Sequence, residues 1–269
     1  TTLLPYETFP TKSLMTGTTK FARLGGYTCA IDGSKVLWCW GFNNVGQLGI
    51  GAADVTNRFV PTNTLMSTMT TAKEIALGSR ATTCAITDTG DVYCWGDNSF
   101  GAYGDATKTA QKVPIKSQMT GAQQISVGEF HACAVKQVGA TPPSLWCWGD
   151  NRYGQIGNGV TNPLGQLVPV QINVPAGIKI LAGVMHTCAS TNIGDLYCWG
   201  NDNFGKLGDG GVNNNKFVPT KTLMTGVTDF ALGEFHTCAI NTAKDVYCWG
   251  SNSGGKLGIG VISAEVGSP

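Results

Sequence analysis

The tripeptide Cys-Trp-Gly occurs five times along the chain and constrains its fold more than any other feature. The copies begin at residues 39, 94, 147, 198 and 248, in steps of 55, 53, 51 and 50 residues. Each copy follows a second cysteine in a similar context and precedes a glycine-rich tail, such as Trp148–Gly157. A recurring period of about 50 residues indicates a repeat architecture in which each copy is one structural unit.

The repeats predict a single all-β domain. Stretches such as Asp91–Trp95 and Asp245–Trp249 are short and rich in aromatic and β-branched residues. Clusters of glycine and asparagine punctuate the chain, and apolar residues do not keep a helical period over ten residues. The period favours a β-propeller of five four-stranded blades. The repeat units lie at about 10–60, 61–113, 114–168, 169–218 and 219–269.

The two ends of the chain are complementary in sequence. Val261–Pro269 aligns with Gly211–Pro219, and Pro10–Met15 resembles the segment 219–224 that comes next in the fourth repeat. We expect this N-terminal segment to supply the last strand of the fifth blade. The ring would then be closed, and closure removes open sheet edges.

The two cysteines of each repeat fall on one predicted hairpin. Between Cys84 and Cys94, the tripeptide 88–90 (Asp-Thr-Gly) suits a three-residue hairpin loop, which places the two sulfurs opposite each other. We favour disulfides over the alternatives of buried free thiols and metal ligation, because the pairing is local and repeated. The ten-residue gap also lacks the close spacing of zinc sites. Disulfides imply an oxidising, extracellular compartment. The predicted pairs are Cys29–Cys39, Cys84–Cys94, Cys133–Cys147, Cys188–Cys198 and Cys238–Cys248.

The repeat resembles that of a known family. The pattern Gly-x-x-His-Thr-Cys-Ala-Ile, followed by Asp-Val-Tyr-Cys-Trp-Gly-x-Asn-x-x-Gly-x-Leu-Gly, is similar to the regulator of chromosome condensation repeat. The resemblance covers nearly the whole chain and implies a propeller of four-stranded blades. The cysteines resemble those of its bacterial and extracellular branch. Nuclear members of the family have seven blades and act as nucleotide-exchange factors, an activity that we do not carry over because blade number, cysteine content and compartment differ.

Three histidines occupy one position in three repeats. They are His131, His186 and His236, while Tyr27 and Thr82 take the same position in the other two repeats. A position that accepts Tyr, Thr or His suits a structural hydrogen bond better than a metal or catalytic site. We expect no metal site and no cofactor.

The loops supply the candidate binding residues. Phe100, Tyr153 and Phe204 stand just before the first tail glycine of three repeats. Each aromatic side chain either packs on the neighbouring blade or contacts a partner or a sugar ring. A polar loop is the second candidate, because adaptable amide side chains suit recognition surfaces. The alternative is that this loop is only an inert connection between strands. Its residues are Asn213, Asn214 and Asn215.

Composition narrows the class of function. Lys and Arg number 18 against 17 Asp and Glu, and this near-neutral balance argues against nucleic-acid binding. Apolar runs stay well short of the roughly 20 residues that span a bilayer, so we expect no membrane insertion by this segment. Signatures of nucleophilic catalysis or dinucleotide binding do not stand out.

The sequence thus predicts a non-enzymatic, extracellular or cell-surface recognition module that binds a protein partner through propeller loops. A carbohydrate-binding adhesin that uses the three loop aromatics is one alternative. Self-assembly into a structural subunit of a surface filament is another. The ligand expected from these interpretations is a protein or a glycan.

Overall fold

The computed structural model describes residues 12–65, 69–175, 177–261 and 265–269. These residues form strands β1 to β20 and two short 3-10 turns, Asn203–Gly205 and Ser253–Gly255, so the all-β prediction is confirmed. Each group of four consecutive strands forms one antiparallel sheet, in which the strands neighbour each other in chain order. Five such sheets are the five predicted blades.

The strand bounds follow the repeats. The first blade holds β1 (Thr18–Leu24), β2 (Tyr27–Asp32), β3 (Leu37–Gly41) and β4 (Arg58–Asn63). The second holds β5 (Glu74–Leu77), β6 (Thr82–Ile86), β7 (Val92–Gly96) and β8 (Gln111–Lys116). The third holds β9 (Ala122–Val127), β10 (His131–Lys136), β11 (Ser144–Asn151) and β12 (Asn162–Ile172). The fourth holds β13 (Gly177–Ala182), β14 (His186–Thr191), β15 (Leu196–Gly200) and β16 (Lys216–Lys221). The fifth holds β17 (Val227–Leu232), β18 (His236–Asn241), β19 (Val246–Ser251) and β20 (Glu265–Val266).

The first strand of every blade borders one central cavity of about 480 Å³. Its walls include Leu24, Leu77, Val127, Ala182 and Leu232, one residue from each blade. The five sheets therefore stand radially around a common axis, as in a propeller. The loops that join the first and second strands of the blades lie at one end of this cavity, and we call that end the loop face.

The predicted hairpins and disulfides are confirmed. Cys84 pairs with Cys94 and Ile86 with Val92 across the hairpin, and Gly90 takes the left-handed conformation (φ +83°) that the three-residue loop requires. The same pairing recurs in the other blades. All ten cysteines form the five predicted disulfides, which excludes the free-thiol and metal alternatives.

The proline of each repeat lies inside the fourth strand rather than at its start. Pro61, Pro114, Pro169 and Pro219 fall within β4, β8, β12 and β16. Proline is tolerated there because the fourth strand is the outermost in its sheet and pairs along one edge. Each blade therefore crosses the boundary between two sequence units.

The fourth strand of the fifth blade comes from the C-terminal residues. Gly250 pairs with Val266, just as Gly200 pairs with Lys216 in the fourth blade. The N-terminal segment was expected to continue this strand. Of its residues, Pro10 and Thr11 lie outside the described residues, and residues 12–15 form no strand.

Buried clusters join consecutive blades. There are four of them among the described residues, and each combines one blade with the next, from the first blade to the fifth. Trp95, Trp148, Trp199 and Trp249 are completely buried at these boundaries, whereas Trp40 of the first blade is half-buried. Within the described chain, no such cluster joins the fifth blade to the first. The N-terminal segment expected to close the ring lies partly outside the described residues, so closure stays a prediction.

Candidate functional site

A backbone carbonyl of one blade accepts one or two side-chain hydrogen bonds from the next blade at each of the four described boundaries. The carbonyl oxygen of Gln155 accepts hydrogen bonds from Trp199 Nε1 (2.9 Å) and Thr187 Oγ1 (2.7 Å). The carbonyls of Gln47 and Lys206 each accept the same two bonds from the blade that follows. Ala102 accepts only the indole bond, from Trp148 at 2.8 Å, because an alanine replaces the threonine in that blade.

The histidines belong to these boundaries. His131 Nε2 lies 2.9 Å from Thr187 Oγ1, and His186 Nε2 lies 3.4 Å from Thr237 Oγ1. Because Thr187 donates its proton to Gln155, it accepts from His131, which is therefore the neutral tautomer protonated at Nε2. Burial lowers the pKa of His131 to about 4. His131 and His186 thus form hydrogen bonds that link neighbouring blades. No metal-binding group of His, Cys, Asp or Glu occurs in the described part of the chain.

The Gly-x-x-His spacing has a steric cause. A Cβ atom added at Gly128 would lie 2.5 Å from His131 Cε1, and one at Gly183 would lie 2.7 Å from His186 Cε1. The amide of Gly128 also donates to the His131 carbonyl, at 2.8 Å. The imidazole lies against the glycine backbone, so no larger residue fits at that position.

Phe100 and Phe204 pack on the neighbouring blade. The ring of Phe100 lies 4.7 Å from the ring of Phe130, and the ring of Phe204 lies 5.5 Å from that of Phe235, between centroids. Phe130 and Phe235 occupy the same position in the loops that follow β9 and β17. The aromatic pairs therefore join the second blade to the third, and the fourth to the fifth, at the loop face.

Two arginines extend the first of these pairs into a larger stack. The guanidinium carbon of Arg152 lies 4.2 Å from the Phe100 centroid, and that of Arg80 lies 5.6 Å from the Phe130 centroid. Both positions suit cation–π interactions. We call these four residues the Arg–Phe cluster. The side chain of Arg80 is 64% exposed, so the cluster reaches the surface of the loop face.

Buried carboxylates hold the two arginines. Arg80 Nε donates to Glu129 Oε1 at 2.9 Å, and Arg152 binds Asp150 through Nε and Nη2, each at 2.9 Å from a different oxygen. Asp150 is almost fully buried, and Glu129 is nine-tenths buried. Glu129 Oε2 has no hydrogen-bond partner within the described residues. The charges orient the guanidinium groups over the rings and leave the Nη groups of Arg80 exposed.

A cavity of about 450 Å³ opens beside the cluster. Arg80, Phe100 and Phe130 line one side, and Asn44 and Asp97 lie among its other walls. The cavity joins the loops of the first three blades. An open surface with cationic, aromatic and acidic groups suits a polar and aromatic segment of a partner.

Lys206 takes the place of the arginine at the second aromatic pair. It is fully buried, its Nζ lies 5.5 Å from the Phe235 centroid, and it donates to the Glu234 carbonyl at 3.3 Å. Burial lowers the pKa of Lys206 to about 8. This cation contributes to the boundary between the fourth and fifth blades and presents no exposed group.

The remaining candidates differ in their contacts. Tyr153 is half-buried, and its amide donates to Gln155 Oε1 at 2.9 Å. In the asparagine loop, Asn213 Oδ1 accepts from the amide of Phe204 at 3.2 Å, and Asn215 Oδ1 accepts from that of Asp202 at 2.9 Å. The sequence indicated no such structural role for this loop. The side chain of Asn214 is exposed.

Sequence reasoning missed Arg80, Phe130, Arg152 and Phe235. The sequence did contain a signal for the two aromatic partners. The dipeptide Glu-Phe follows a glycine in two repeats, and each of these repeats comes directly after one that carries Phe100 or Phe204. The two arginines carried no such signal, since neither recurs in another repeat. Their approach depends on the way the blades pack.

Comparison with known proteins assigns the chain to a family. The model of the RCC1-like domain matches residues 6–269. This chain belongs to the RCC1-like domain family. The resemblance to the regulator of chromosome condensation repeat is thereby confirmed, while the assignment to its bacterial branch stays a prediction.

Relatives and solved structures agree with that family and fold. The ultraviolet-B receptor UVR8 of Arabidopsis thaliana is 34% identical over 182 residues, which cover 65% of this chain and 39% of UVR8. Human WBSCR16 matches with a TM-score of 0.75 at 21% identity, over 89% of this chain and 63% of that chain. Prp20p of Saccharomyces cerevisiae matches with a TM-score of 0.56 at 21% identity, over 93% of this chain and 75% of that chain. The chain thus spans less than half of UVR8 and less than two thirds of WBSCR16.

The described residues contain no helix that is long and apolar enough to cross a bilayer.

Proposed function

We propose that this chain is a non-enzymatic, extracellular protein-binding module that uses the loop face around the Arg–Phe cluster. The observation that carries the proposal is the cluster itself, with an exposed guanidinium on stacked rings beside an open cavity. Arginine and aromatic residues are enriched at the energetic centres of protein interfaces. The buried carboxylates orient these side chains before a partner arrives, which reduces the entropy lost on binding.

The relatives support a protein as the ligand. The structure of Prp20p was described together with its binding to Gsp1p and histones, so a propeller of this family binds other proteins. Fold alone does not identify a partner, because the site decides function. The Arg–Phe cluster is the part of this chain that we assign to recognition.

The disulfides support the extracellular location. Five disulfides in 269 residues are expected where the surroundings are oxidising, and cytosolic thiols are normally kept reduced. Four of the five are completely buried at blade boundaries. They therefore belong to the core of the fold.

The contacts of Phe100 favour a protein over a sugar. Stacking on a sugar requires an open ring face, but Arg152 lies over the Phe100 ring at 4.2 Å and the Phe130 ring lies at 4.7 Å. The adhesin alternative instead requires Phe100 to give up one of these contacts. Binding to a glycan array would favour that alternative and count against our proposal.

The test compares two charge-removing variants of the same blade. Arg80→Gln removes the exposed guanidinium, and Lys116→Gln removes an exposed lysine that pairs with Asp91 at the opposite end of the strands. Each protein is used to capture partners from the extracellular fraction of the native source. We expect Arg80→Gln to reduce capture of a specific protein about tenfold or more, as for an interface hot spot, and Lys116→Gln to leave it unchanged. Equal capture by both variants, at unchanged thermal stability, would contradict the assignment.

A further inference from the structure

The loop that carries Arg80 is longer than its counterparts in the other blades. Leu77 of β5 pairs with Thr83 of β6, and five residues, 78–82, connect them. In each of the other four blades, only four residues connect the corresponding pair. Those pairs are Arg23 and Thr28, Val127 and Ala132, Ala182 and Thr187, and Leu232 and Thr237. The additional residue of the second blade places Arg80 in the middle of the longer loop.

Hydrogen bonds hold this longer loop in one conformation. Ala81 adopts a φ of +65°, a left-handed conformation that a residue with a side chain adopts unfavourably. The amide of Ala81 donates to the carbonyl of Gly78 at 3.1 Å, and its carbonyl accepts from the amide of Asp97 at 3.2 Å. Backbone in such conformations is concentrated at functional sites. The loop therefore presents Arg80 from a fixed backbone.

Most of the hydrogen-bonding capacity of Arg80 is unused within the fold. Its Nε donates to Glu129 Oε1, and neither of its Nη atoms forms a hydrogen bond within the described residues. The side chain is 64% exposed. The two Nη groups of an arginine form a planar fork that binds a carboxylate through two parallel hydrogen bonds. Arg80 thus offers such a fork to a partner.

Two further cations lie beside this fork. The Nζ atom of Lys108 lies 6.0 Å from the Phe100 centroid, and the guanidinium carbon of Arg152 lies 4.2 Å from it. Arg152 is paired with Asp150, whereas the exposed Lys108 forms no ion pair within the part of the chain that the structure describes. An unpaired surface cation attracts an approaching anion. The charge at this end of the loop face therefore favours an anionic group of the partner.

Acidic groups limit how much negative charge the site accepts. Glu129 has one buried oxygen without a hydrogen-bond partner in the described chain. Asp97 lies in the wall of the cavity and forms no ion pair with a described residue. Both carboxylates repel a phosphate dianion or a run of acidic residues more strongly than a single carboxylate, because the repulsion increases with the charge of the ligand. The site therefore suits one carboxylate.

The cavity supplies an apolar contact next to the fork. Val45 and Ala81 line it together with the rings of Phe100 and Phe130. Its volume of about 450 Å³ lies within the roughly 300 to 1,000 Å³ of pockets that enclose a small ligand. A side chain that neighbours the bound carboxylate can therefore bury apolar surface there.

We propose that the loop face binds a short segment of the partner in which one Asp or Glu stands next to an apolar residue. The carboxylate accepts two hydrogen bonds from Arg80, and the apolar side chain enters the cavity against Val45 and Phe100. Lys108 accelerates the encounter by attracting the carboxylate. This inference rests on the proposed function, because it names the chemistry that the Arg–Phe cluster recognises.

A library of random short peptides displayed on phage is the probe. The peptides are selected on the folded wild-type chain, after Arg80→Gln protein has removed those that bind elsewhere. We expect the selected peptides to share one Asp or Glu beside an aromatic or aliphatic residue. Selected peptides without an acid, selected runs of several acids, or a library without any peptide that depends on Arg80 would each overturn the proposal.

Exchange of the peptide's acid tests which group it binds. Replacing that acid by its amide should weaken binding to wild type about tenfold or more, as for the loss of a charged hydrogen bond, and should weaken binding to Arg80→Gln much less. Arg80→Lys keeps a cation beside Glu129 but lacks the fork, so it should also bind more weakly than wild type. Lys116→Gln is the matched control and should bind like wild type. Titration calorimetry measures all four proteins.

Two results of this exchange would contradict the proposal. Equal losses in wild type and Arg80→Gln would show that the carboxylate binds elsewhere. Tighter binding of a peptide that carries phosphoserine in place of the acid would show that the site prefers a dianion.

The inference and the proposed function fail in different ways. If partner capture depends on Arg80 but the selected peptides lack an acid, the carboxylate chemistry is wrong and the binding site stands. If capture does not depend on Arg80, the site itself is wrong. Thermal unfolding shows that each variant is folded, and Arg80→Lys keeps the test decisive if Arg80→Gln lowers stability.

Discussion

Trp199 Nε1 donates a hydrogen bond to the backbone carbonyl of Gln155 across the boundary between the third and fourth blades, over 2.9 Å. The same carbonyl accepts from Thr187, and Thr187 accepts from His131, so one backbone oxygen organises three side chains. Gly157 also lies against this indole, since a Cβ there would be 2.6 Å from Nε1. The Trp and Gly positions of the repeat therefore meet at the boundary between blades.

Trp199→Ala should therefore destabilise the fold far more than Trp40→Ala. Trp199 is completely buried and hydrogen-bonded, and truncating such a residue costs about 3 to 5 kcal/mol. Trp40 holds the same repeat position in the first blade, where it is half-buried, so we expect a loss of about 1 to 2 kcal/mol. Denaturant unfolding with the disulfides intact measures both. Equal losses would show that Trp40 is as well covered as Trp199 in the folded chain.

Stability should fall as the pH drops from about 6.5 to 4. Burial lowers the pKa of His131 to about 4 in the folded chain, against 6.5 for an exposed histidine. Neutral, buried His131 therefore stabilises the fold fully above pH 6.5. As the pH falls below 6.5, the unfolded state takes up a proton that the folded state does not, and the free energy of unfolding decreases by about 3 kcal/mol in total. His186 acts in the same direction, because burial and the nearby Lys206 lower its pKa well below the ordinary value.

His131→Gln separates this contribution from general acid unfolding. Its amide can still donate to Thr187 but does not titrate, so unfolding free energies measured from pH 7.5 to 4 should decline less steeply than in wild type. An unchanged slope would mean that His131 is protonated in the native state.

The asparagine loop should divide into structural and surface positions. Asn213→Ala with Asn215→Ala removes the acceptors of the Phe204 and Asp202 amides. The Asp202 contact is partly buried, so its loss costs about 1 to 3 kcal/mol, and loss of the exposed Phe204 contact costs less. Asn213 also has a φ of +56°, which an alanine adopts unfavourably. Asn214→Ala should change stability by no more than about 0.5 kcal/mol. Thermal unfolding of the two variants compares them directly, and a double variant as stable as Asn214→Ala would refute the role of these contacts.

Cys238–Cys248 should be the first disulfide to be reduced. Its two cysteines are partly exposed in the fifth blade, while the other eight are completely buried. Brief treatment of the native protein with a mild reductant, followed by alkylation and peptide mass analysis, should label this pair alone, because thiol attack requires access to the sulfur. In denaturant all five should react. Early labelling of Cys84–Cys94 would contradict the packing of the second and third blades.

Local features of the blade could be read from the sequence. The hairpin between Cys84 and Cys94 depends on a glycine that adopts positive φ and on residues at opposite positions of one ladder, both of which are short-range properties. Its repetition in five copies indicated the propeller and the disulfides. The half-buried Phe100 and Phe204 were also recognisable as candidates, with packing on the next blade as one of two stated outcomes.

Contacts between blades could not be read in this way. Phe130 meets Phe100, and Arg80 meets Glu129, only because the radial packing of the sheets brings residues about 30 to 50 positions apart together. Ring closure stays a prediction for the same reason: matching end sequences indicate which strand would pair, but whether the fifth blade meets the first depends on how the blades are arranged in space. The sequence alone determined the blade, since its hairpins, turns and disulfides are local. Tertiary structure decided the contacts between blades and the Arg–Phe cluster, since these arise where separate blades meet.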